Sequence, residues 1–120
     1  MLICFPVDSD QKGDSVLFEH FAAAPVFVTY DTDTDEYGQI ANNEATLSAG
    51  SRNASEAIKE AGVDVVIASG MGDGAINRLN SLGIEVYWAQ SGMVEFDLKL
   101  YQSGKLPAAT KGKCDGSYRQ

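Results

Sequence analysis

Apolar positions repeat with two different periods along this chain, and the change between them divides it. Residues 2–7 form a short continuous apolar run bounded by the polar stretch 8–14, which reads as a buried strand. Pro6 belongs at the end of that strand, where no ladder donor is needed. Residues 26–30 are β-branched and aromatic and suit a pleated surface. Asp31, Asp33, Asp35 and Glu36 mark a turn, and residues 37–41 return as a weaker strand, so the two segments predict an antiparallel hairpin.

After Asn43 the period lengthens. Asn53 and Glu56 make a capping-box-like start. Ala54, Ala57, Ile58 and Ala61 share one helical face, and Gly62 stops the helix. Residues 63–68 are mostly apolar on both faces, as in a strand covered from two sides. Beyond the glycine-rich stretch 69–74, Ala75, Ile76, Leu79 and Leu82 recur at helical spacing, with Asp73 as the expected N-cap and Gly83 as the stop. Residues 84–88 form the next strand. The helix–glycine–strand joins at 61–66 and 82–87 match in pattern, two copies of one local solution.

Residues 93–101 fit both periods. Val94, Phe96, Leu98 and Leu100 alternate as in a strand, while Val94, Leu98 and Tyr101 share a helical face and Glu95 pairs with Lys99 at i,i+4. A helix is expected, because strand 84–88 otherwise lacks a covering element. The pattern predicts one α/β domain over residues 1–107. Its mixed sheet has an antiparallel start of two or three strands and a parallel second half, and residues 108–120 form a basic tail.

Composition adds limits. The 120 residues, 44% hydrophobic and 22% charged, suit a single globular domain able to bury a core without disulfides. The net charge is −8 but uneven: residues 1–98 carry sixteen acids and four bases, whereas 99–120 carry five bases and one acid. An acidic body excludes a general nucleic-acid binder, whose phosphate contacts need clustered Lys and Arg. The basic tail reads either as a solvated end or as a flap for an anionic ligand. No basic segment precedes the first apolar run, no apolar run approaches the roughly 20 residues of a membrane span, and Cys4 and Cys114 lie far apart. A reduced, cytoplasmic setting is expected.

Two stretches carry candidate chemistry. The first, residues 15–27, holds the single histidine, His20, between Phe18 and Phe21. A neutral imidazole there is a packed or half-exposed side chain or a transition-metal ligand. The second is the 69–74 loop with Gly70, Gly72 and Gly74, between a strand and a helix. Glycines admit a ligand close to the backbone, and the helix N-terminus favours an anion. It is not a Walker A loop, and no acidic residue ends strand 84–88 to hold a ribose; the bland alternative is a tight strand-to-helix turn. The Asp31-x-Asp33-x-Asp35 spacing resembles a calcium loop but has Glu36 where that loop needs glycine, so a solvated hairpin tip is the expectation. No nucleophile elbow is present. Residues 2–7 offer no carboxylate before Asp8 for a two-metal nuclease.

Together these stretches resemble the dinitrogenase iron–molybdenum-cofactor biosynthesis family of small carrier proteins. The matching residues are Phe5 to Asp8; Ser15 to Phe18, then Glu19, His20, Phe21, Ala24, Pro25 and Phe27; Ser69 to Leu79; and Gly83 to Tyr87 with Leu100 to Leu106. The resemblance implies a ribonuclease-H-like three-layer fold with a mixed five-stranded sheet, used as a carrier without nuclease or other enzymatic activity. It implies a cargo of iron–sulfur or molybdenum–iron–sulfur precursors for nitrogenase assembly, or a molybdenum–copper sulfide cluster as in the orange protein of sulfate reducers, with cofactor-assembly proteins as partners. Two positions depart from the family pattern: Ala22 stands where glycine is usual, and Met71 brings a soft thioether that suits either a thiophilic metal or a core gap.

The leading expectation is therefore a non-catalytic, largely non-covalent carrier of an anionic metal–sulfur cluster. Its candidate binding residues are Ser15, His20, Phe21, Arg52, Gly70, Met71, Gly72, Asp73, Gly74 and Arg78, with His20 and Cys114 as candidate metal ligands. The alternatives are an enzyme acting on a nucleotide or phosphorylated small molecule at the 69–74 loop, and an interaction module whose acidic body docks on an assembly partner.

Overall fold

The apolar run at the N-terminus becomes the central strand of a five-stranded sheet. A computed structural model describes residues 1–9, 11–21, 24–41 and 54–109. Ala22, Arg52, the Asn53 cap, Cys114 and the tail bases Lys111, Lys113 and Arg119 lie outside the described residues. Among the described residues the elements are β1 (Leu2–Val7), β2 (Val26–Asp31), β3 (Glu36–Ala41), α1 (Ala54–Glu60), β4 (Val65–Ala68), α2 (Asp73–Ser81), β5 (Glu85–Trp88) and α3 (Val94–Gln102), with a 3-10 turn at Lys12–Asp14. The strand order is β3-β2-β1-β4-β5. β1 runs antiparallel to β2 and parallel to β4, β2 antiparallel to β3, and β4 parallel to β5. The mixed α/β sheet expected from the pattern is present.

Side chains of a strand alternate between faces, so a strand covered on both sides must be apolar at every position. β1 and β4 obey this. Ile3, Phe5, Val7, Val65 and Ile67 enter one core with Val28, Val94 and Leu98 of α3. Cys4, Val66 and Ala68 enter the other with Phe27, Ile58 of α1 and Ile76 and Leu79 of α2. The result is three layers, α3 on one face and α1 with α2 on the other. Cys4 is a buried free thiol, and burial alone pushes its ionisation far upward. Pro6 lies one place inside the strand end. The register with β4 runs only through Ile3–Val65 and Cys4–Val66, so the missing N–H falls beyond that ladder.

The ambiguous 93–101 stretch resolves as helix from Val94 to Gln102, with Met93 extended as its cap. Val94 and Leu98 are buried, Phe96 is exposed, and Glu95 meets Lys99 at 3.6 Å. The two helix–glycine–strand joins use left-handed backbone at Gly62 (φ +92°) and Gly83 (φ +84°), which only glycine adopts without strain. The expected Asp73 cap is corrected. The extended residue before α2 is Gly72 (φ −78°, ψ 165°), and no side chain caps it, because Asp73 already has helical backbone as the first residue of α2. The outer edge of β5 is covered: Trp88 N–H donates to Pro107 O at 2.9 Å and Ala109 N–H to Val86 O at 2.8 Å.

At the hairpin tip the Asp31 and Asp35 carboxylates serve the turn itself. Asp31 Oδ1 accepts the Asp33 N–H at 2.8 Å, and the Tyr30 hydroxyl donates to Asp35. That hydrogen bond, followed by partial burial and the Asp35 charge, raises the Tyr30 phenol to about 12. The folded state thus prefers the neutral phenol. This contribution is complete below pH ~10, the ordinary tyrosine value, and disappears as pH rises through about 12. In an ultraviolet tyrosinate titration, Asp35→Ala is expected to bring one late-ionising tyrosine back toward pH 10. A titration curve unchanged by the substitution contradicts this assignment.

Candidate anion site at the carboxyl ends of β1 and β4

The chain leaves β1 toward β2 on one side of the sheet and leaves β4 toward β5 on the other. Between two parallel strands whose exits diverge, the carboxyl ends are the usual ligand position in open α/β sheets. Both candidate stretches lie beyond these ends: 15–27 follows β1 and runs into β2, and 69–74 follows β4 and runs into α2.

Residues 15–21 cross over the end of the sheet from one core to the other. Leu17 is buried in the α3-side core and Phe21 in the α1/α2-side core, where its ring lies 5.4 Å from that of Phe27. Backbone hydrogen bonds fix the crossing along its length. Leu17 N–H donates to Gly92 O (2.8 Å), Phe18 N–H to Pro6 O (2.9 Å) and Phe21 N–H to Gly70 O (3.2 Å). The last of these joins the two candidate stretches directly. His20 sits beside that junction with its side chain exposed. Ser15 is placed at the far end of the crossing. Its buried hydroxyl accepts the Gln11 N–H at 2.7 Å, and its carbonyl accepts the Val94 N–H at 3.0 Å.

In the glycine loop Gly70 is buried under the crossing, and Met71 is packed in the core beside Ile76 and Phe21. The thioether therefore lies in apolar packing. Ile76 N–H makes the first intrahelical bond of α2, onto Gly72 O at 3.1 Å. The N–H groups of Gly74 and Ala75, ahead of it in the first turn, have no intrahelical acceptor. Gly72 and Gly74 both have ordinary, non-left-handed backbone, and a Cβ added at either meets nothing within 4 Å. Neither the turn nor the packing requires glycine at these two positions. Their missing side chains leave open space directly over the first turn of α2.

Asp73 is exposed at the first position of α2. Arg78 lies five residues further on, about 7.5 Å along the axis at 1.5 Å per residue. It forms an ion pair with Glu56 of α1, tying the two helices on that face rather than joining the loop. Among the described residues, no group of three or more His, Cys, Asp or Glu side chains is arranged to hold a metal ion.

One residue tied to this region was not singled out from sequence. Asp97 of α3 is fully buried and accepts three backbone N–H groups: Gln90 at 2.7 Å, Ser91 at 2.9 Å and Gly92 at 2.9 Å. The signal was present. Asp97 follows Val94 by three residues on the buried face of the helix, and a carboxylate there demands partners.

Comparison with known proteins bears on the fold and the family. The apo orange protein of Desulfovibrio gigas superposes with a TM-score of 0.82 at 23% identity, over 93% of this chain and 95% of that one. The crystal structure of PH0822 matches with a TM-score of 0.74 at 26% identity, over 94% and 100%. A Thermotoga protein, TM1290, provisionally described as a NifB protein of the DUF35 family, gives 0.75 at 22% identity over 96% and 98%. No curated protein matches the sequence at a significant level. The family model described as "Dinitrogenase iron-molybdenum cofactor" matches residues 1–104, and the chain belongs to that family.

Proposed function

We propose that this protein is a non-catalytic carrier of an anionic metal–sulfur cluster, molybdenum with iron or copper, held at the start of α2 largely through backbone N–H groups. The observation that carries the reading is the open space over Gly72 and Gly74, two glycines that neither backbone strain nor packing demands. Glycines placed where a side chain would fit freely leave room for something else to approach the backbone. The N–H groups of the first turn and the helix dipole favour a negative ligand there.

Family membership supports a cofactor-related role, and the apo orange protein shares the fold. The exposed Asp73 carboxylate beside the site favours a large anion with diffuse charge, such as a metal sulfide, over a compact phosphate, because its repulsion is spread over a greater distance. Cargo held mainly by N–H groups exchanges without breaking protein–metal bonds, which suits delivery to an assembly partner. His20, exposed beside the Phe21–Gly70 junction, is the proposed side-chain contact within the described residues. Arg52, Cys114 and the basic tail are proposed contributors from outside them. No helix among the described residues is long and apolar enough to cross a membrane.

Anaerobic reconstitution with tetrathiomolybdate plus Cu(I), or with iron and sulfide, is expected to give a coloured complex with stoichiometric metal that survives desalting. Stabilisation by nucleotides in a thermal-shift screen, with no metal sulfide retained, favours the phosphate-binding enzyme instead. Gly74→Ala separates binding from folding. Alanine in an ordinary helical position stabilises by about 0.4–1 kcal/mol, yet its methyl group enters the open space, and cluster affinity is expected to fall about tenfold or more, ~1.4 kcal/mol. Equal retention by Gly74→Ala and wild type contradicts the site. His20→Ala is expected to leave the melting temperature unchanged and to lower metal retention; unchanged stoichiometry removes His20 from the site.

A further inference from the structure

We infer that Asp97 is a positioning residue for the cargo site, acting through the 15–21 crossing. The inference rests on the carrier reading for its ligand and on hydrogen-bond geometry for its mechanism. Asp97 is fully buried, and its two carboxylate oxygens gather the N–H groups of three successive residues, Gln90, Ser91 and Gly92. This folds the β5–α3 loop into a tight turn in which Gly92 takes a left-handed backbone (φ +86°).

The turn then holds the crossing from one side. Gly92 O accepts the Leu17 N–H at 2.8 Å, Val94 N–H donates to Ser15 O at 3.0 Å, and Val16 and Met93 form an isolated antiparallel bridge. Val16 is itself largely exposed while Leu17 beside it is buried, so this end is held by the packing of Leu17 together with these hydrogen bonds. The crossing's other end is the Phe21–Gly70 bond at the glycine loop. His20 therefore sits on a span held at the cargo loop by Phe21, at β1 by the Phe18–Pro6 bond and the Val7–Leu17 bridge, and at its start by the turn that Asp97 organises.

Asp97→Asn keeps the side chain's volume but replaces one acceptor oxygen with an N–H₂ group that faces backbone donors. Its expected effect is local. Amide exchange at Leu17, Phe18 and Phe21 accelerates at least tenfold relative to Val66 of β4, and retention of the tetrathiomolybdate–Cu(I) complex falls at least threefold. Gly92→Ala strains the same turn without touching α3 and is expected to reproduce both effects, which covers the case in which Asp97→Asn fails to fold. Glu95→Gln removes a charge from the same helix outside the hydrogen-bonded turn and is expected to change neither.

Uniform acceleration of exchange at Val66 and at the crossing marks Asp97 as a general stability residue and overturns the inference. Selective loosening with undiminished retention overturns it as well. If the wild-type protein retains no cluster, the carrier reading falls, and the exchange pattern alone upholds or overturns the ordering of the crossing by Asp97.

Discussion

Burial of β1 and β4 on both faces is the constraint from which the rest of this structure follows. Ile3, Phe5 and Val7 point into one core while Cys4 and Val66 point into the other, so no position along these strands is free to present a functional side chain. A sheet built this way has chemistry available only where its strands end. At the carboxyl ends the chain departs in opposite directions from β1 and β4, and the two segments that emerge meet through the Phe21–Gly70 hydrogen bond. The site is thus made of backbone and loop, which suits a ligand held by N–H groups. The position of the crossing is in turn fixed by buried polar contacts. Leaving the three N–H groups held by Asp97 without a carboxylate costs about 1–3 kcal/mol each where they stay dry.

The acidic net charge of −8 argues against a long polyanion, which must be met by many cations along its length. A compact cluster poses a different electrostatic problem. It needs only a few oriented dipoles at one point, and the first turn of α2 provides them over the open faces of Gly72 and Gly74. Much of the acidity lies elsewhere, including the hairpin tip, where Asp31 and Asp35 hold the turn's own hydrogen bonds and Asp33 pairs with the N-terminal ammonium at 3.3 Å. Charges of that kind lie at the amino end of β1, away from the 69–74 loop, and are screened within a Debye length of about 8–10 Å.

Much of the fold was legible because it is written in local periodicity. The continuous run at 2–7 reads as a buried strand, the run at 63–68 as a strand covered on both faces, and the glycines after the helices as stops. Residues 93–101 satisfied both periods, and only the need to cover the neighbouring strand favoured the helix that forms. Residue preference points to Asp73 as the cap of α2 but does not reveal which residue has the extended backbone; that residue is Gly72. Of the site, the two stretches were visible separately, but a hydrogen bond between Phe21 and Gly70 joins positions far apart in sequence and leaves no local mark. The family resemblance supplied that link. For Asp97 the helical spacing marks a buried carboxylate but not its partners, because backbone N–H groups belong to every residue type except proline.

The most direct measurement is the perturbation of backbone amide resonances when tetrathiomolybdate and Cu(I) are added anaerobically to isotopically labelled protein. A carrier of the kind described here shows its largest shifts at Gly72, Asp73, Gly74 and Ala75, with a second set at His20 and Phe21. Shifts centred elsewhere on the molecule, or none at stoichiometric cluster, contradict the assignment of the carboxyl ends of β1 and β4 as the cargo site.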